Sequence, residues 1–167
     1  MNRLFGITGW KNSGKTTLTE RLVAEFVRRG VRVSTVKHAH HDFDIDIEGT
    51  DSFRHRAAGA SEVAIVSARR WALVHELRSE EEPSLEQVLA TLGPCDLVLV
   101  EGYKREPHAK IEVRRLAAGE RTPLALADPS IAAIAADHPV SEGTLPVFDL
   151  DDVPAIADFI GRATGLA

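Results

Sequence analysis

Cysteine is nearly missing from the 167 residues: Cys95 stands alone, so no intramolecular disulfide and no cysteine-only metal cage can form, which suits a reducing compartment. Long hydrophobic runs are missing too. No apolar stretch approaches the ~18 residues of a membrane span, and only Met1 and Asn2 precede a strand-like segment, so neither a transmembrane helix nor a signal peptide is expected. Cytoplasm is the expected location. Excess positive charge is absent: 25 acidic against 20 basic residues leave a formal charge of −5, which argues against coating a nucleic acid. Internal repeats, low-complexity tracts and linkers are not seen. What remains, 44% hydrophobic and 27% charged residues, is the balance of an ordinary globule, and a single domain over residues 1–167 is expected.

The pattern of the chain predicts an α/β protein. Arg3 to Thr8 reads as a short buried strand, Thr16 to Arg29 as a helix with Leu18, Leu22, Val23, Phe26 and Val27 at helical spacing and Gly30 as its stop, and Val31 to Val36 as a second strand. A strand, helix, strand unit of this kind belongs to a mainly parallel sheet flanked by helices. Asp51 to Ala58 is expected to be a short helix, and Glu62 to Ser67 with Trp71 to His75 a β-hairpin. Ser84 and Gln87 form a capping box before an amphipathic helix. Asp96 to Gly102 has an uninterrupted apolar centre, as in a strand covered on both faces, with Glu101 emerging at its end. Further strands are expected at Ala109 to Arg114, Pro123 to Ala127 and Ile131 to Ala136, and a closing helix from Asp151 to Ala163.

Between the first strand and helix lies Gly9-Trp10-Lys11-Asn12-Ser13-Gly14-Lys15-Thr16, a complete phosphate-binding loop (P-loop) pattern in its proper context. Its glycines let the backbone bend around an anion. The amides of the loop, including those of Gly9, Asn12, Ser13 and Gly14, converge on phosphate oxygens, and the following helix adds its positive dipole end. Lys15 would contact the β- and γ-phosphates, Thr16 would place its hydroxyl on Mg²⁺, and Thr17 suits the α-phosphate. Glu101, at a buried strand end, is the candidate second carboxylate for the hydrated metal, whereas Asp96 at the opposite end should be roughly 17 Å away by strand rise.

The long polar stretch from Lys37 to Thr50 leaves the second strand at the edge where ligands collect in parallel sheets. Lys37 and His38 are candidate contacts for phosphate, or for the pterin that the family resemblance given below implies, and Asp46 a candidate switch-loop carboxylate beside the metal or attacking water; the alternative is a solvated loop. His38, His40 and Asp42 could also bind a transition metal, but no further Cys or His completes the ligand set. The Asn-Lys-x-Asp tetrapeptide of many GTPases is absent. Asp128 either accepts from guanine N1 and N2 or starts the turn before Pro129. No catalytic arginine or water-orienting glutamine is evident, so isolated turnover should be slow.

The loop GWKNSGKTTL, the stretch VKHAHHDFDIDIEGTDSFRHRAAGA, the run RRWAL and the segment DLVLVEGYK, in this order, resemble the MobB family of molybdopterin-guanine dinucleotide biosynthesis adaptors. The resemblance implies a P-loop protein that binds GTP with Mg²⁺, hydrolyses it slowly, and assists a guanylyltransferase that attaches GMP to molybdopterin. It also implies a homodimer. By position it carries over Gly14, Lys15, Thr16 and Thr17 as the phosphate loop, Glu101 as the acidic strand end and Asp46 as the acidic loop. Two other classes stay open: a P-loop small-molecule kinase, with Arg69, Arg70, Arg114 or Arg115 clamping the transferred phosphate, and a metal-delivery GTPase.

Overall fold

The structure is a computed structural model that describes residues 3–39, 43–141 and 143–166. In chain order its elements are β1 (Arg3–Thr8), α1 (Lys15–Arg28), β2 (Val33–Lys37), α2 (Asp51–Ala57), β3 (Glu62–Val66), β4 (Trp71–His75), α3 (Leu85–Thr91), β5 (Leu97–Glu101), β6 (Lys110–Arg114), a 3-10 turn (Leu124–Leu126), β7 (Ile131–Ala136), β8 (Val147–Asp149) and α4 (Val153–Thr164). The chain expected to form a single nucleotide-binding domain falls into two compact units, Met1–His38 with Val88–Ala167, and Ala39–Gln87. Among the described residues no helix is long and apolar enough to cross a membrane.

The larger unit is a six-stranded sheet in the order β2-β5-β1-β6-β7-β8, with every pairing parallel. The chain moves from β1 to β2 on one side of the sheet and later crosses from β5 to β6 on the other. The carboxyl end of β1 therefore lies at a switch point, the place where such sheets bind ligands. Alternation along the strands sends Phe5, Ile7, Leu97, Leu99, Ile111, Val113, Ala133 and Ala135 to one face. There they pack with Leu18, Leu22 and Phe26 of α1 and Ile156, Ala157 and Ile160 of α4. Each large side chain so buried contributes roughly 1.5–3 kcal/mol relative to exposure. α1 ends at Gly30 in a left-handed conformation, and α4 begins with the Asp152 carboxylate accepting from Ala155 N.

The opposite face carries charge into the interior. Lys110 is 0% exposed and donates to the carbonyls of Lys104 (3.2 Å) and Glu106 (2.5 Å) and to Asp128 Oδ2 (3.3 Å). Two residues along β6, buried Glu112 accepts from Leu124 N and Ala125 N, both at 2.9 Å, and from Arg114 Nη2 at 2.9 Å. Buried ionic groups survive only when satisfied in this way. Glu112 also explains the main departure from expectation. Residues 123–127 are not a strand but a 3-10 turn, because the carboxylate collects two successive amide donors that a strand would point to opposite sides. β8 pairs with β7 in parallel over three residues and was not expected.

The smaller unit contains α2 and the antiparallel hairpin of β3 and β4, paired from Glu62 with His75 to Val66 with Trp71, as expected. Ser67 closes its turn, accepting from Arg70 N and donating to Arg70 O. The capping box is present, with Ser84 N donating to Gln87 Oε1 (2.8 Å) and Gln87 N donating to Ser84 Oγ (3.2 Å).

Candidate functional site

At the end of β1 the chain turns through Gly9, Asn12 and Gly14, with φ of 148°, 63° and 95°. A Cβ on Gly9 would lie 2.6 Å from both Ser13 Oγ and Val113 O, and one on Gly14 would lie 2.7 Å from Arg115 Nε. Both glycines are demanded by conformation and by space. Ser13 is buried under the loop. α1 starts at Lys15, so its unpaired amides face the loop's concavity.

Lys15 folds back on this loop, its Nζ donating to Trp10 O at 2.7 Å. Burial holds its ammonium below the ordinary lysine pKa; Glu101 opposes that shift, and the nearby Lys104 and Lys37 add to it. The Thr16 hydroxyl lies 3.0 and 3.3 Å from the two oxygens of Glu101. Glu101 arrives there because it closes β5, in register with Ile7 of β1 and Lys37 of β2, and Lys37 Nζ stands 3.6 Å from its Oε1. His38 donates its backbone N–H to Glu101 O, and its ring packs on Tyr103 with centroids 4.8 Å apart. Thr17 is exposed on the first turn of α1. Thus Gly9, Asn12, Ser13, Gly14, Lys15, Thr16, Lys37, His38 and Glu101 gather at one edge of the sheet.

A hydroxyl and a carboxylate side by side are hard oxygen donors of the kind Mg²⁺ and its waters prefer, and the pair fits that ion. Among the described residues no group of three or more His, Cys, Asp or Glu side chains is placed to hold a metal; His40 and Asp42 of the transition-metal reading lie outside the described residues.

Two anticipated residues are engaged elsewhere. Asp46 lies in the smaller unit, its side chain 3% exposed, where Arg56 Nη2 donates to it at 2.7 Å; the same guanidinium reaches Asp44 at 2.9 Å and Glu76 at 2.7 Å. Hydrogen bonding to Arg56 holds the Asp46 carboxyl below its ordinary pKa. Asp128 adopts the turn-forming arrangement, with Oδ1 accepting from Ser130 N and Oγ and Oδ2 from Lys110.

Three features escaped the sequence reading: Arg115 against Gly14, the buried Lys110 and Glu112, and the surroundings of Trp10. The indole Nε1 donates to Thr122 O at 2.7 Å, and Lys104 Nζ sits 4.1 Å from the ring centroid. Only the charged pair in Lys110-Ile111-Glu112, two residues apart on one strand face, was a visible signal.

A glycine-bent loop between the central strand and its helix, met by an acidic strand end in an all-parallel sheet, defines a protein of the P-loop NTPase-like fold. A sequence profile for the molybdopterin guanine dinucleotide synthesis protein B family, MobB, matches residues 4–137. Molybdopterin-guanine dinucleotide biosynthesis adapter proteins of Escherichia coli and Haemophilus influenzae are 38% and 42% identical to the chain. Each alignment covers 94% of this chain, with 90% and 86% of those proteins. Crystal structures of a MobB homologue from Bacillus stearothermophilus (30% identity, 99% of both chains, TM-score 0.72) and of Bacillus subtilis MobB (27% identity, 97% and 98%, TM-score 0.75) share its fold. The chain belongs to the MobB family.

Proposed function

We propose that the protein is a GTP-binding adaptor in the formation of molybdopterin guanine dinucleotide, acting as a homodimer in the cytoplasm with a molybdenum cofactor guanylyltransferase. The observation that carries the nucleotide part is the Thr16 to Glu101 contact, which joins residues 85 apart in sequence at the mouth of a complete phosphate loop. The loop amides and the start of α1 bind the phosphate chain, and Lys15 leaves Trp10 O for the β- and γ-phosphates. Thr16 and Glu101 would hold Mg²⁺, which when bound supplies charge neutralisation on those phosphates. Glu101 orients the Thr16 hydroxyl, and Lys37 balances the carboxylate's charge. The loop, Lys15 and the Thr16–Glu101 pair support a phosphate-binding role, and slow turnover follows from the adaptor reading.

The dimer is supported by the hairpin, whose Val66 and Trp71 are 76% and 70% exposed; an isolated two-stranded ribbon with apolar side chains in water is a natural pairing edge. The partner role is supported by the relatives' designation as adapter proteins of molybdopterin-guanine dinucleotide biosynthesis. The test is a reconstituted dinucleotide-forming assay with guanylyltransferase, molybdopterin and GTP. Addition of this protein should raise product formation, and the guanylyltransferase should be retained on immobilised protein more strongly with GTP than without. No stimulation and no retention would overturn the adaptor reading.

A further inference from the structure

The site has more lysines than its carboxylate can neutralise. Lys37 faces Glu101 and Lys15 lies on the Trp10 carbonyl, whereas Lys104 has no ion-pair partner among the described residues and rests on the indole face of the same Trp10. Its backbone, by contrast, is fastened. The Lys104 carbonyl accepts from the fully buried Lys110, and Glu106 N donates to Tyr103 O in a tight turn where Tyr103 has a φ of 46°. Trp10 is fixed as well, through its Nε1 bond to Thr122 O. An anchored backbone thus carries an ammonium group that, among the described residues, rests on a cation–π contact, weaker than a charge-assisted bond to phosphate.

We propose that Lys104 is a second phosphate-binding lysine, which rests on Trp10 in the nucleotide-free protein and transfers to the terminal phosphate of a bound nucleoside triphosphate. The end of the loop is fixed by Lys15, the residue whose ammonium belongs to the β- and γ-phosphates. Because Lys15 and Lys104 sit on the carbonyl and the ring of one residue, Lys104 is positioned for the outermost phosphate and distinguishes tri- from diphosphate. Its departure changes the electrostatic surroundings of the indole, so Trp10 reports the event. This inference rests on the nucleotide-site reading above.

Calorimetric titration of the full chain, the Lys104→Met variant and the Lys104→Arg variant with GDP and with a non-hydrolysable GTP analogue tests it, alongside Trp10 emission in a Trp71→Phe background. In the parent background the analogue should shift Trp10 emission and GDP should leave it near the free value. Lys104→Met should lose about tenfold in affinity for the analogue and less than threefold for GDP, and should erase the difference in emission; Lys104→Arg should restore most of both. Equal losses for the two nucleotides, no loss, or an emission response that survives Lys104→Met would overturn the role of Lys104 while leaving the phosphate site intact. Failure of the parent protein to bind either nucleotide would overturn both readings.

Discussion

The sheet unit and the hairpin unit treat water in opposite ways. In the sheet unit even charged side chains are taken inside and satisfied, Lys110 by two carbonyls and Asp128, Glu112 by two amides and Arg114. In the hairpin unit apolar side chains stay outside: Ile65, Val66, Trp71 and Leu73 are all exposed, as are Phe43, Ile45 and Ile47, while Arg56 ties Asp44, Asp46 and Glu76 together, with only the Asp46 side chain covered. The first is the pattern of a scaffold that fixes a site with its own residues. The second leaves apolar side chains in water, the feature on which the proposed dimer rests.

The contrast sharpens most sharply at Lys110. Lys110→Met keeps the volume but leaves Asp128 and two carbonyls without their buried donor, and should cost about 3 kcal/mol of stability, read as a lowered denaturant midpoint. A change under ~0.5 kcal/mol would mean the interior charge is not what ties the loops to the sheet. Next, Lys15→Ala should weaken GTP binding about a hundredfold, roughly 2.8 kcal/mol, with an unchanged midpoint, since this side chain binds the loop rather than the core. Unaltered affinity in the folded variant would break the assignment of the site to this unit.

Smaller effects follow. Glu101→Gln retains an oxygen beside Thr16 but not the charge, so Mg²⁺-dependent hydrolysis should fall about tenfold and nucleotide binding by less; equal turnover and metal dependence would reduce Glu101 to a structural residue. On the hairpin side, light scattering of the parent should return about twice the 18.2 kDa chain mass, and Leu73→Asp should move it toward one chain while GTP affinity stays within twofold. A monomeric parent at micromolar concentration would break the comparison there. The smallest effect is on pH. Arg56 lowers the Asp46 pKa, so this contribution is complete above the ordinary aspartate value and fades as pH falls through the lowered one. Hydrogen bonds donated by the His75 ring to Glu62 and then to Glu80 raise the His75 pKa, so that contribution is complete below the ordinary histidine value and fades as pH rises through the raised one. Amide exchange in β3 and β4, corrected for intrinsic rates, should be slowest between these limits, and a protection profile flat across both would contradict the pairing.

Much of this was legible because it is local. Eight contiguous residues encode the loop, the apolar run before Glu101 announces a buried strand with an acidic end, and alternation on either side of Ala68-Arg69-Arg70 gives the hairpin. What was not legible depends on distant partners. Leu124 to Leu126 alternates like a strand, but its conformation is set by Glu112 twelve residues earlier, and β8 is three residues held by pairing with β7 and by Phe148 packing on Phe159 of α4. The position of Trp10 between Thr122 and Lys104 joins three separate loops, and no local pattern carries that information.

The central claim, a guanine-nucleotide site built on the sheet unit, is tested most directly by titrating the intact protein with GTP and with ATP in the presence of Mg²⁺. The account predicts saturable binding of one GTP per chain, at least tenfold tighter than ATP, and no phosphorylated acceptor on prolonged incubation. Preference for ATP together with acceptor-dependent product would contradict it and make the protein a kinase.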